Sequence, residues 1–262
     1  MVLLRRALLL LLVALHGGPA RAATAPPLRL SSTDADATTL VSALVLQEAY
    51  AALGRNFVLR AYPPALALRA TNDGQVDGAL HRIAGLERNF PDLLRVPVAI
   101  NRTEPIAVVK RRDIRIEDWS SLGNYRVGIV RSIVVYEQRT AGMDVTRLEN
   151  LDQLLGMLDR NRLDVVVDDR LDVLEALRNP AFRDLRAQDE PIEAIPLYHY
   201  LHKRHRDLLP KLKAALAKMQ RSGRIQAIRN DVILRLQRGD PLPPMPAPVE
   251  QEAHDPSPHA VP

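Results

Sequence analysis

Two short stretches carry the side chains best suited to chemistry. They are "GQVDGALHR", Gly74 to Arg82, and "NRLDVVVDD", Asn161 to Asp169. Each has a polar turn, an apolar residue, an aspartate, three small or branched residues, and then two strongly polar side chains. Asp77 matches Asp164, His81 matches Asp168, and Arg82 matches Asp169. The same phrase therefore ends in a guanidinium in one half of the chain and in a carboxylate in the other. A guanidinium binds a carboxylate in a fork, and a carboxylate binds an ammonium, so the pair suits a zwitterion. Each charge-assisted hydrogen bond contributes about 1.5 to 3 kcal/mol net, and two or three of them approach a micromolar complex if water is excluded.

Arg82 and Asp169 can instead pair with neighbours such as Glu87 and Arg170, or with each other across the lobes. His81 and Asp168 carry less weight as ligand groups, because adjacent side chains on a strand point to opposite faces. Asp77 and Asp164 lie at strand starts and read as turn residues.

These groups need elements to position them. "LRLSS" reads as a strand, the run from Val41 to Leu53 as a helix stopped by Gly54, and "NFVLRAY" as a second strand. A helix follows through Leu66 and Leu68, then "VDGAL" as a third strand. "LLRVPVAI" and "PIAVVKR" give two further strands around the polar "NRTE". The alternation then restarts with "YRVGIV", "SIVVYEQRTAG", "VTRL", "NLDQLLGMLDRNR" and "LDVVV". This predicts two α/β lobes, each a mostly parallel sheet covered by helices. In such sheets ligands bind beyond the carboxyl ends of the strands, where His81, Arg82, Asp168 and Asp169 all fall. "IPLYHYLHKRH" reads as a strand leaving the second unit, and one amphipathic helix is expected from Asp207 to about Arg229.

The first 22 residues combine two arginines, an apolar run and small residues at Ala20 and Ala22, the pattern of a cleavable secretory signal. Export without a membrane anchor favours a bacterial periplasm. The formal charge of +5 includes Arg5, Arg6 and Arg21, so removing the signal leaves 5 − 3 = +2, too balanced for a nucleic-acid binder. The absence of cysteine excludes a thiol nucleophile, a thiolate metal site and a lipidated N-terminal cysteine. HExxH, G-x-S-x-G and a phosphate-binding glycine loop are missing, so neither enzyme nor cofactor is expected. His199, His202 and His205 alternate faces on a strand and do not converge on a metal; they read as solvated or crossover histidines. Residues 239–262 hold many prolines and little to bury, and read as a disordered tail.

With "GQVDGALHRI", "YRVGIVRSIVVYEQ", "LDVVVDD" and "YLHKRHRDLLPKLKAALAKMQRSGRIQAI" in this order, the chain resembles the family 3 periplasmic solute-binding proteins over Leu28 to Arg238. The resemblance implies a signal at 1–22, a first lobe at 23–111, a second at 112–198 and a return to the first at 199–238. The crossovers would fall near Lys110 to Ile114 and Leu197 to Lys203. It implies a monomer that captures a small polar, amino-acid-like solute by lobe closure and presents it to an inner-membrane ABC permease. A sensory receptor without transport, or a periplasmic hydrolase on the same scaffold, is the alternative.

Asp169 stands at the family's ammonium contact. Arg88 matches the carboxylate-binding arginine in spacing and Arg82 in strand-end geometry, so both are candidates. Where the family has Gly followed by Ser or Thr, this chain has Arg131, Ser132 and Ile133. Ser132 can supply a hydroxyl at a helix start, and Arg131 either favours a more acidic solute or is solvated. Tyr62 resembles the family's aromatic wall in position, or packs in the core. Asp34 lines the mouth or begins a turn.

Overall fold

The computed structural model describes residues 25–251 except 34, 35 and 132. The expected signal peptide, Asp34, Ser132 and residues 252–262 lie outside the described residues. The chain runs β1 Leu28–Ser32, α1 Ala37–Ala51, β2 Phe57–Ala61, α2 Pro64–Asn72, β3 Gly78–Arg82, β4 Leu93–Thr103, β5 Pro105–Val109 and β6 Val127–Val130. It continues with α3 Val134–Arg139, β7 Val145–Leu148, α4 Leu151–Asp159, β8 Val165–Asp169, α5 Arg170–Ala176, β9 Arg186–Ala187 and β10 Ile195–His202. α6 Leu209–Arg221, α7 Arg224–Arg238 and β11 Val249–Gln251 close the described chain.

The strands form two sheets, so the two-lobed α/β reading holds. The first lobe has strand order β11-β2-β1-β3-β10-β4 and the second β7-β6-β8-β5-β9. In each, one strand lies between two parallel partners, β1 between β2 and β3 and β6 between β7 and β8, and the strand from the crossover runs antiparallel, β10 to β3 and β5 to β8. A parallel sheet must be covered on both faces, which is why β8 reads Val-Val-Val without alternation. Val166 packs with Leu154, Leu158 and Val173 on one face, while Val165 and Val167 pack with Ile114, Leu122 and Tyr136 on the other. In the first lobe Leu28, Leu30, Leu59, Leu80 and Ile100 form the core with Val45, Leu46, Leu212 and Leu216.

α1 is apolar nearly all round because it is covered nearly all round. Asp36 caps it by accepting the Thr39 amide at 2.6 Å.

The lobe boundaries differ from the sequence expectation. The first crossover is at Glu104, not near Lys110 to Ile114: β4 pairs with β10 in the first sheet, and one residue later β5 pairs with β8 in the second. "PIAVVKR" thus belongs to the second lobe. The second crossover precedes β10, between Ala187 and Ile195, and all of β10 lies in the first lobe.

The long helix expected from Asp207 is two helices, broken at Gly223 in the left-handed region with φ 72°. The tail expected to be disordered from residue 239 is ordered as far as Gln251. β11 pairs in parallel with β2, Ala247 is buried, and the Leu59 amide donates to the Pro248 carbonyl at 2.9 Å. A proline cannot donate to a ladder but accepts normally, and this strand sits at the sheet edge where that suffices.

Candidate functional site at the lobe junction

β3 ends at Arg82 and β8 at Asp169, so both charged doublets terminate equivalent central strands. The aspartates at the other end of these strands match in detail. Asp77 Oδ2 accepts the Arg29 amide at 2.7 Å, and Asp164 Oδ2 accepts the Arg126 amide at 3.0 Å. Each thereby ties the entry of its strand to the parallel neighbour, and Arg126 adds two guanidinium bonds to Asp164. Asp77 also receives His205 and Arg204, both at 2.6 Å. Burial opposes its ionisation, but the Arg29 amide, His205 and Arg204 together hold its carboxyl below the usual range.

Asp169 is only 4% exposed and is engaged by its own chain. As the N-cap of α5 it accepts the Leu171 amide at 2.9 Å on Oδ1. The same oxygen accepts the hydroxyl of Thr38, on α1 of the first lobe, at 2.8 Å. Oδ2 accepts the amide of the crossover residue Glu104 at 2.7 Å.

From Glu104 the network turns back. Its carboxylate takes Arg229 Nη2 at 3.0 Å and lies 3.1 Å from Arg170 Nε and 2.5 Å from Arg102 Nε. Arg229 also donates to Asn101 Oδ1 at 2.9 Å, and Asn101 donates to the Thr38 carbonyl at 3.1 Å. Thr38, Asp169, Glu104, Arg229 and Asn101 thus close a ring of polar contacts, and every member is buried. Burial alone would raise the Glu104 pKa, but Arg102 and Arg229 lower it, so the carboxylate stays ionised. Apolar contact supports the ring: Leu171 of α5 packs with Ala37 and Val41 of α1 and with Val232 and Leu236 of α7.

Asp168 is buried as well, and one of its oxygens accepts the Asp169 amide at 2.8 Å. Asp172, in the first turn of α5, completes the acidic side of the junction. Burial and the nearby Asp36, Asp169 and Asp168 push its carboxyl well above the ordinary range.

The remaining sequence candidates scatter. Arg82 is half-buried, and its Nη1 donates to the carbonyl of His81 at 2.7 Å. Burial, with the Arg82 charge beside it, lowers the His81 imidazole to about 3, so it is neutral. Its Nδ1 is buried without a hydrogen-bond partner. Arg88 is exposed in a short 3₁₀ turn. Arg131 is exposed and pairs with Glu149 at 2.8 Å. Tyr62 is 9% exposed in a cluster with Ala67, Ala70 and Val76. Ser132 and Asp34 lie outside the described residues.

His199 is not the solvated or crossover histidine expected from "HYLHKRH". It is fully buried; its Nδ1 lies 2.8 Å from the Ala79 carbonyl, which accepts the proton, leaving Nε2 to accept the Tyr50 hydroxyl at 2.7 Å. Among the described residues no three His, Asp or Glu side chains converge as metal ligands.

Arg229, Glu104, Asn101 and Thr38 were not singled out from sequence. The signal for Arg229 is its register: it shares a helix face with Val232 and Leu236, where an exposed arginine does not belong.

The described chain superposes on the sensor domain of a histidine kinase "with similarity to periplasmic binding proteins", with TM-score 0.66 and 15% identity over 80% of this chain and 97% of that one. It superposes equally on the GluR0 ligand-binding core in complex with L-glutamate, with TM-score 0.67 and 14% identity over 79% and 98%. The fold is that of the two-lobed periplasmic binding proteins. The substrate-binding protein of an amino acid ABC transporter is a third match, with TM-score 0.60 and 14% identity over 80% of this chain and 100% of that one. In sequence, an uncharacterized protein of Shewanella oneidensis is 26% identical over 187 residues, 69% of this chain and 71% of that one. A scan against protein-family models gives no match.

Proposed function

We propose that this chain is an exported periplasmic receptor that binds a small polar, amino-acid-like solute between its lobes. It then presents the solute to an inner-membrane partner. The observation that carries this reading is the matched construction of the two sheets, joined through Glu104, with equivalent central strands ending in Arg82 and in Asp169. Ligands of open α/β sheets lie beyond such strand ends.

Arg82 is the group proposed to meet a solute carboxylate, with Arg88 as the second candidate. Ser132, at the start of α3 in sequence, is proposed to add a hydroxyl. Capture followed by lobe movement needs no covalent step. The periplasmic location is supported by the signal-like pattern of the first 22 residues. An ABC permease as the partner is supported by the likeness to an amino acid importer's binding protein.

Sensing without transport is a second reading, favoured by the likeness to a histidine kinase sensor domain. The two share the binding step, so one experiment tests both. Purified protein lacking the first 22 residues is titrated calorimetrically with amino acids, polyamines and small organic acids, and the mixture is then assayed for conversion. The reading expects stoichiometric binding with the solute recovered intact. Turnover of the solute would replace it with an enzyme.

A further inference from the structure

The junction holds a feature that a receptor closing only on its ligand does not need. Asp169, at the end of the second lobe's central strand, already has three donors: the Thr38 hydroxyl, the Leu171 amide and the Glu104 amide. Leu171 is in its own lobe and Glu104 is the crossover, but Thr38 belongs to α1 of the other lobe. A carboxylate so engaged and 4% exposed is fully compensated without any solute.

Thr38 is itself fixed from behind. Its carbonyl accepts from Asn101 Nδ2 and Ser42 Oγ, both at 3.1 Å, and Arg229 holds Asn101. Further contacts cross the same seam: the Thr38 amide with Asp172 Oδ1 at 3.4 Å, Arg178 Nη2 with the Gly239 carbonyl at 2.9 Å, and Leu171 with Val41, Val232 and Leu236, while Arg170 reaches the crossover residue Glu104 at 3.1 Å.

We propose that Thr38 is a built-in competitor for Asp169, so that the ligand-free chain rests with its lobes together and a solute that uses Asp169 must first displace the Thr38 hydroxyl. Thr38 then sets affinity: the more firmly it holds Asp169, the weaker the solute. The statement about the resting chain stands on the contacts alone; the statement about affinity rests on the receptor reading.

The test uses the absence of cysteine. Gln47→Cys in the first lobe and Gln138→Cys in the second, both at exposed positions, accept a pair of spin labels at those sites alone. Distances between the labels are measured by pulsed electron paramagnetic resonance with no solute present. The expected result is one short-distance population in the parent, retained in Thr38→Ser, which keeps the hydroxyl. In Thr38→Val the ratio of separated to joined lobes should rise about tenfold, as loss of one hydrogen bond to a charged group implies.

Should Thr38→Val fail to fold, Thr38→Ala deletes the same hydroxyl from a good helix former. A parent already at long distance, or a hydroxyl-free variant with the parent's distances, overturns the proposal. Because no solute is present, that outcome leaves the receptor reading intact. Calorimetry that finds no solute for any variant would sink the receptor reading and the affinity statement while leaving the distances standing.

Discussion

Asp77 and Asp164 hold the same post in the two lobes: each accepts a backbone amide from the start of the neighbouring parallel strand, that of Arg29, second in β1, at 2.7 Å and that of Arg126, just before β6, at 3.0 Å. The posts are not equally loaded. The side chain of Asp77 is 13% exposed and also takes Arg204 and His205, whereas that of Asp164 is 21% exposed and pairs with Arg126. Asp77→Ala should therefore cost more stability than Asp164→Ala, about 2 to 3 kcal/mol against about 1 to 2, because it strands more donors. Urea unfolding of the two variants checks the order, and equal losses would count against the asymmetry.

Gly78 opens β3 against the backbone of β10. A Cβ built there would lie within contact-forbidden range of the Tyr200 carbonyl oxygen, a backbone atom that can retreat only by distorting the ladder. Gly78→Ala should lower stability by roughly 1 to 3 kcal/mol, as overpacking does. Gly123→Ala, where nothing lies within 4 Å, should be close to neutral. Thermal melts of both variants make the comparison.

Arg229 gives the largest expected effect. It is 2% exposed and serves Glu104, Asn101 and the Arg102 carbonyl. Arg229→Leu leaves Glu104 with only its more exposed arginines and should cost about 3 to 5 kcal/mol. Arg229→Lys should recover little, since one ammonium cannot span the three acceptors. Denaturant midpoints of the two variants decide it.

His199 makes stability pH-dependent. Burial lowers its pKa from 6.5 to about 4, so the folded state resists a proton that the unfolded state accepts. The contribution is fully present above about pH 6.5 and is lost as pH falls toward 4. It amounts to about 3 kcal/mol over that window, from the linkage of a shift of this size. His199→Gln should flatten that part of the stability profile. Nuclear magnetic resonance should show the His199 ring neutral at pH 5, and an ordinary titration near 6.5 would refute the assignment.

Much of this was legible in the chain. The doublets His81-Arg82 and Asp168-Asp169 mark the ends of the two central strands because polar residues abruptly follow an apolar run, and the structure ends β3 and β8 there. The lobe boundary was not legible. Glu104 lies between two apolar strands, and that pattern is the same whether the chain reverses into a hairpin or passes on to a second sheet; only pairing with β8 distinguishes them. Arg229 was hidden because the expected helix ended on it, leaving its register with Val232 and Leu236 undrawn. The edge strand β11 was hidden by proline content, since three residues pairing on one side need little propensity. Thr38 lies ahead of the run read as a helix from Val41, and its partner is 131 residues away.

In the proposed receptor a solute binds between two like-built lobes, and Arg82, at the end of β3, helps to hold it. Isothermal calorimetry with a responding amino-acid-like solute decides this, comparing the parent with Arg82→Ala and with Arg183→Ala, an exposed arginine on the second lobe. Arg82→Ala should weaken binding tenfold or more, as loss of one charge-assisted contact of about 1.5 to 3 kcal/mol requires, while Arg183→Ala should bind like the parent. Unchanged affinity in Arg82→Ala, with the protein still folded, would contradict it.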